Sequence, residues 1–402
     1  MDGSGSLTSL RELNRGRVLE SLRELGVASR AELARSTGLS PATVSTLVGQ
    51  LVEAGMVVDA PASVSRRNQG GRPPALITLD PSVGVAIGID FGKRHLAVAV
   101  CDLSHEILAE RWRTMHEDYD ARTGVEGAAK LVGEALERSG TAPDRVLGVG
   151  LGMPGPIHRS TGTVGSSAIL PGWTDVRIAE VMSERLEAPV HVDNDANFGA
   201  LAELHWGAGQ GASTLVYLKM ATGIGAGLVI DGRLFHGAGG TAGEIGHTTV
   251  DERGPICRCG NRGCLEMVAA TPALAELLRA TRGTEITGDR VVELAIEGDP
   301  GCRRAIADAG SYTGHAVANL CNLFNPERIV VGGSLGAAGD VLLDPLREAV
   351  RRRVIPSAVE DVEIVPGVLG DRAELLGAVA LVLNEKEQGV VASQPLGEAV
   401  AS

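Results

Sequence analysis

The 402-residue sequence predicts an α/β protein with a small helical head and a larger two-lobed body. Three observations carry that expectation: helical periodicity confined to the first 80 or so residues, a reversal of charge near the same boundary, and a β/α pattern that runs twice through the remainder. The chain has a net charge of −13, yet Arg11 to Leu79 hold nine arginines against six acidic residues, a local +3 that leaves −16 elsewhere. A basic head on an acidic body points to a different partner for the head. Hydrophobic residues make up 44% of the chain and aromatics 2%, so aliphatic side chains must build the cores, and a disordered chain is excluded. There is no apolar run of about 18 residues and no apolar leader, so a soluble, cytoplasmic bacterial protein without membrane contact is expected.

In the head, "NRGRVLESLRELGVASRAELARSTGLSPATVSTLVGQLVEAGMVV" reads as three helices. The first spans about Leu10 to Leu25 and stops at Gly26. The second follows Ser29 and runs from Arg30 to Ser36. Ser40 caps the third, and Pro41 takes its first position, where a missing N–H costs nothing. Val44, Leu47, Val48 and Leu51 fall on one face of that helix. Around the other side lie Ser40, Thr43, Ser45, Thr46 and Gln50, short polar groups suited to base edges in a major groove. Two β-branched segments, Met56 to Asp59 and Ala75 to Leu79, flank a loop with Arg66, Arg67 and Arg72. The flat "GGRPP" of that loop suits a minor groove. Together these features predict a winged helix-turn-helix that binds double-stranded operator DNA. Its third helix holds no Lys or Arg, so phosphate contacts are expected from Arg15, Arg17, Arg30, Arg35 and the wing.

After "LDPSVG" the body alternates strands and helices. "VGVAIGIDFG", "HLAVAVCDL" and "HEILAERWR" read as three strands, followed by a helix near Thr123 to Glu137 and the strand "RVLGVGLG". "STLVYLKMATGIG" and "AGLVIDGRLFHG" open a second half that returns through helices to "ERIVVGGSLG" and "VEIVPGVLG". That echo predicts two stacked α/β lobes around a cleft. The expected divisions are 1–80 for the head, 81–200 and 201–388 for the lobes, and 389–402 for a flexible tail without a sustained pattern.

Within 243–266, "GEIGHTTVDERGPICRCGNRGCLE" crowds Cys257, Cys259 and Cys264 onto a glycine-rich knuckle, with His247 ten residues upstream of the first. Three thiolates and one imidazole make a closed tetrahedral set, so a structural zinc ion is expected there.

These residues, with "VDNDANFGALAE" and the winged head, resemble the ROK family (repressors, open reading frames and sugar kinases) over nearly the whole chain. The resemblance implies an actin-like, hexokinase-type (ribonuclease H-like) body. It also implies a sugar or sugar phosphate effector bound by Asn194, Asp195, Glu244, His247 and Glu266, and an Asp195 that matches the general base of the family's kinases. The family's kinases carry Asp-x-Gly-Gly-Thr-Lys or similar at the first phosphate turn, whereas this chain reads "DFGKRH", with Lys93, Arg94 and His95 after Gly92. "ATGIGAG" is closer to the second turn, with Ala221 where glycine is usual. Ile169 stands before "LPGW" where many family kinases have Asn. No catalysis is therefore expected, Asp195 being a vestigial base. The expected function is a sugar-controlled regulator of carbohydrate metabolism, most often a repressor, working as a homodimer or homotetramer. An ATP-dependent sugar kinase with an appended DNA-binding domain is the alternative. Lobe closure on the sugar is the expected switch, acting through the linker at Asp80 to Gly84.

Overall fold

The computed structural model describes residues 4–60, 75–116, 119–158, 161–164, 171–173, 176–359 and 362–388. Arg66, Arg67 and Arg72 of the wing, Ile169, and the tail 389–402 lie outside the described residues.

The head has helices α1 (Ser4–Leu25), α2 (Arg30–Thr37) and α3 (Pro41–Glu53), and strands β1 (Ala28–Ser29), β2 (Val57–Asp59) and β3 (Leu76–Leu79) in the antiparallel order β1-β3-β2. The two-residue β1 has no periodicity to betray it in the sequence, and α1 begins six residues before the expected start. Local chemistry sets the turn between helices. Ser29 and Glu32 form a reciprocal capping box, and Gly38 ends α2 in the left-handed region at φ 68°. Ser40 then accepts the Thr43 N–H to start α3. Val44, Leu47, Val48 and Leu51 are buried, packed with Val18, Leu19, Leu22 and Leu33.

The first lobe carries β4 (Val85–Phe91), β5 (His95–Asp102), β6 (Ile107–Thr114), α4 (Ala121–Ser139), β7 (Val146–Met153), α5 (Ile178–Leu186), β8 (Val190–Asn194) and α6 (Asp195–Trp206). The second has β9 (Leu215–Met220), β10 (Ile224–Ile230), β11 (Arg233–Leu234), α7 (Glu266–Ala269), α8 (Thr271–Arg282), α9 (Gly288–Ile296), α10 (Pro300–Phe324), β12 (Arg328–Gly332), α11 (Asp340–Arg351), α12 (Pro356–Val359), β13 (Glu363–Pro366) and α13 (Ala373–Gln388). Their sheets run β6-β5-β4-β7-β8 and β11-β10-β9-β12-β13, one connectivity used twice. In each, a three-stranded antiparallel meander is extended by two parallel strands. The internal echo of the sequence is thus a repeat of fold.

The lobes interlock through α6 and α13, which pack on each other between the two sheets. Sequence position places α13 within 201–388, but it lies on the first lobe's sheet, against β4, β5 and β7; α6 faces β9 and β10 of the second. Glycines permit that exchange: a Cβ on Gly88 or Gly150 would strike the backbone carbonyl of Leu375 or Ala378 in α13. All seven residues of β4 are buried because helices cover both faces. Among the described residues no helix is long and apolar enough to cross a membrane.

Candidate functional site

The strand ends of both lobes open onto one cleft of about 460 Å³. Open α/β sheets bind ligands beyond the carboxyl ends of their strands, where backbone groups and helix N-termini converge.

Asn194 ends β8 and caps α6: its Oδ1 accepts the Ala196 N–H at 2.8 Å, and its Nδ2 donates to the Gly155 carbonyl at 2.8 Å. One N–H and one lone pair of the amide remain for another partner. Behind it, Asp193 accepts from Asn197 Nδ2 and the Asn194 N–H, both at 2.7 Å, and meets His236 Nε2 at 2.6 Å. That set ties the loop after β11 to the end of β8.

Asp195 opens α6, where the helix dipole favours a carboxylate. Its Oδ1 accepts the Ala196 N–H, and its Oδ2 lies 2.9 Å from Lys219 Nζ. Lys219 also meets Glu374 Oε1 at 3.3 Å, and Tyr217 donates its hydroxyl to that oxygen at 3.3 Å. Burial alone would depress the Lys219 ammonium, but the charges of Asp195, Glu374 and Asp90 outweigh it and raise its pKa. Lys219 is charged in this cleft.

Glu244 precedes the short 3-10 turn Ile245–His247 and lines the same cleft. Burial, reinforced by Asp195 and Glu266 and opposed by Arg258, pushes its carboxyl up to about 7. Glu266 begins α7; its Oε1 pairs with Arg258 at 2.8 Å, and its Oε2 accepts the Ile224 N–H at 3.3 Å. It therefore joins the cysteine knuckle to the glycine turn after β9.

His247, Cys257, Cys259 and Cys264 bring four ligand atoms within 4.8 Å of one another, a group that could hold a metal ion. Cys259 and Cys264 sulfurs stand 3.6 Å apart, and His247 Nδ1 is 3.5 Å from the Cys257 sulfur. Tetrahedral coordination with bonds of about 2.0–2.3 Å separates ligand atoms by roughly 3.4–3.8 Å, which these spacings match. His247 Nδ1 faces the Cys257 sulfur, while its Nε2 lies 3.8 Å from Glu244 on the other edge of the ring.

The "DFGKRH" segment is a hairpin between β4 and β5, closed by Gly92 N–H to the His95 carbonyl at 3.0 Å. The His95 ring folds back over Gly92, and its Nε2 meets Asp90 Oδ2 at 2.7 Å.

In the head, Ser45 and Thr46 are exposed on α3, whereas Thr43 and Gln50 are half-buried. Ser40 and Thr43 share their hydroxyls at 2.8 Å, and Thr46 donates to the Ala42 carbonyl at 3.1 Å. Arg30 and Arg35 border a groove with Ser45. Two arginines expected at phosphate also have internal partners: Arg15 turns to the Met56 sulfur, and Arg17 donates to the Thr37 carbonyl.

Lys219, Glu374 and Arg258 escaped the sequence reading. A lone charge in the apolar "LVYLKM" and an acid opening the apolar "AELLGAVALVL" were the available signals.

A winged reader head fused to a two-lobed, hexokinase-like α/β body defines the class of this protein. Residues 86–385 match the ROK family and residues 11–58 match a winged helix-turn-helix DNA-binding family, and the chain belongs to the ROK family. It is 34% identical over 394 residues to the xylose repressor of Caldicellulosiruptor bescii, covering 95% of this chain and 98% of that protein. It is also 34% identical over 320 residues to the glucokinase of Halalkalibacterium halodurans, covering 75% of this chain and 95% of that enzyme. The crystal structure of a ROK family transcriptional regulator described as a homolog of the E. coli MLC protein superposes with a TM-score of 0.77 at 27% identity, over 95% of this chain and 98% of that one.

Proposed function

We propose that this protein is a sequence-specific transcriptional repressor of carbohydrate metabolism, released from or retained on its operator by a sugar or sugar phosphate in the cleft. The observation that carries the reading is a winged helix-turn-helix head joined to a body whose cleft presents Asn194, Asp195, Glu244 and Glu266 to a ligand. Asp195 already has Lys219 on Oδ2 at 2.9 Å and the Ala196 N–H on Oδ1, so a sugar hydroxyl would share that carboxylate with both. The His95 ring over Gly92 supports the same conclusion. Phosphoryl transfer depends on positioned backbone donors around the phosphate, and here a side chain packs on that turn. The full-length likeness to a protein named a xylose repressor makes a pentose or hexose the effector class to examine first.

In this reading Asn194, Asp195, Glu244, His247 Nε2 and Glu266 hold the sugar. His247 Nδ1, Cys257, Cys259 and Cys264 hold a structural zinc ion, which when bound would brace the knuckle bearing Arg258. Ser40, Thr43, Ser45, Thr46 and Gln50 of α3 face base edges, and Arg30 and Arg35 face phosphates. The chain works as a homodimer or homotetramer, because two linked heads match two half-sites about one helical turn apart.

Selecting genomic fragments on the purified protein and sequencing them tests the reading. Enrichment of a few promoter fragments with a shared palindromic site is expected, and enrichment no better than random duplex refutes it. The kinase alternative draws on the retained Thr222–Gly223 turn and the glucokinase likeness; sugar-dependent ADP release at about 1 s⁻¹ or more would establish it instead.

A further inference from the structure

Strand β9 buries Leu215, Val216, Tyr217, Leu218 and Met220, so Lys219 is a single cation on an otherwise apolar strand. It is one-fifth exposed, and its two carboxylate partners sit on different helices: Asp195 at the start of α6 and Glu374 in the first turn of α13. Both oxygens of Asp195 are engaged, one by its helix N-terminus and one by the lysine. A sugar hydroxyl that takes this carboxylate must therefore share it with Lys219 or displace it. An ammonium that loses Asp195 keeps Glu374, which is buried beside it, lies 3.3 Å away and also accepts from Tyr217. From Glu374, α13 runs along β4, β5 and β7, and it packs against α1 of the head. Arg23 of α1 adds a hydrogen bond to the Leu103 carbonyl of the first lobe at 3.2 Å.

We propose that Lys219 is the effector-sensing residue of the cleft: it bridges Asp195 and Glu374, and a sugar hydroxyl that takes Asp195 leaves the ammonium on Glu374 alone, re-seating the first turn of α13 and, through that helix, the head. The proposal rests on the sugar-binding reading above. Lys219 is a positioning residue; it acts through Asp195 on the ligand and through Glu374 on the helix. A ligand moves an equilibrium only by its differential affinity for two states, and here the states differ in whether the ammonium bridges both carboxylates or rests on Glu374 alone. The arrangement also makes the lysine a competitor of the sugar. Removing it tightens sugar binding while disconnecting that binding from DNA.

The test uses the full chain with D-xylose and D-glucose as probes, sugar affinity by calorimetry, and operator affinity by anisotropy with and without saturating sugar. Wild type is expected to change operator affinity by about 5- to 150-fold on saturation. Lys219→Met should bind the responding sugar about tenfold more tightly and change operator affinity less than about twofold. Glu374→Gln retains a partner for the Tyr217 hydroxyl, so it guards against a folding defect caused by unpaired carboxylates. Still saturable with sugar, it too should lose the operator response. Lys219→Arg, which keeps the charge, should restore a response. Wild-type coupling in either Lys219→Met or Glu374→Gln overturns the proposal while leaving the sugar site standing. A wild type that binds its operator but neither probe nor any other sugar overturns the site and the proposal together.

Discussion

Lys219 Nζ stands 2.9 Å from Asp195 Oδ2, so a strand of one lobe is ionically joined to the helix whose first residue lines the cleft. Asp195→Ala should remove a ligand acceptor without unfolding the body, because Lys219 keeps Glu374. We expect a loss of about 1–2 kcal/mol in urea unfolding, below the cost of orphaning a fully buried charge. The sugar response should vanish, and operator affinity should sit at the sugar-bound wild-type value with or without sugar, because Lys219 then rests on Glu374 alone.

The cysteine knuckle should carry one zinc per chain by elemental analysis. Cys264→Ser, or a strong chelator, should loosen Arg258 and with it Glu266, whose carboxylate that arginine holds at 2.8 Å. Sugar affinity is expected to fall about 10- to 100-fold, as for lost outer-shell support at metal sites. Metal-free wild type with full sugar affinity would contradict this.

His95 gives a pH signature. Burial lowers its pKa, but the hydrogen bond and charge of Asp90 more than compensate; with smaller effects from Lys219 and Glu374, the net shift is upward from 6.5. Its contribution to stability is therefore complete below the ordinary histidine value and is lost as pH rises through the elevated one. Urea midpoints measured from pH 6 upward should fall for wild type relative to His95→Gln. Parallel curves would mean that the Asp90 contact adds nothing.

At the head, Arg35→Ala should weaken binding to all duplexes alike and reduce the salt slope by about one. Thr46→Ala or Gln50→Ala should cost about 1–3 kcal/mol on the cognate site and little on random DNA. Equal losses on both kinds of DNA would remove those side chains from base reading.

Much of this was legible in the primary structure. Ser40, Pro41 and the Val44–Leu51 face announced α3, because caps and 3.6-residue periodicity are local. The knuckle was legible because ligand spacing survives without knowledge of the fold. The meeting of Asp195 with Lys219 and Glu374 was not, since Lys219 lies 24 positions from Asp195 and 155 from Glu374, and the third partner arrives only when α13 crosses to the first lobe. The internal contacts of Arg15 and Arg17 were out of reach for a related reason. Nothing in a linear sequence shows that one arginine meets the Met56 sulfur and the other the Thr37 carbonyl.

Titrating the best-enriched promoter fragment with protein, in the presence and absence of saturating sugar, tests the central claim most directly. The account predicts nanomolar binding whose affinity changes at least about fivefold with one sugar, in wild type and not in Asp195→Ala. Identical isotherms with and without every sugar, or an equal shift in Asp195→Ala, would contradict it.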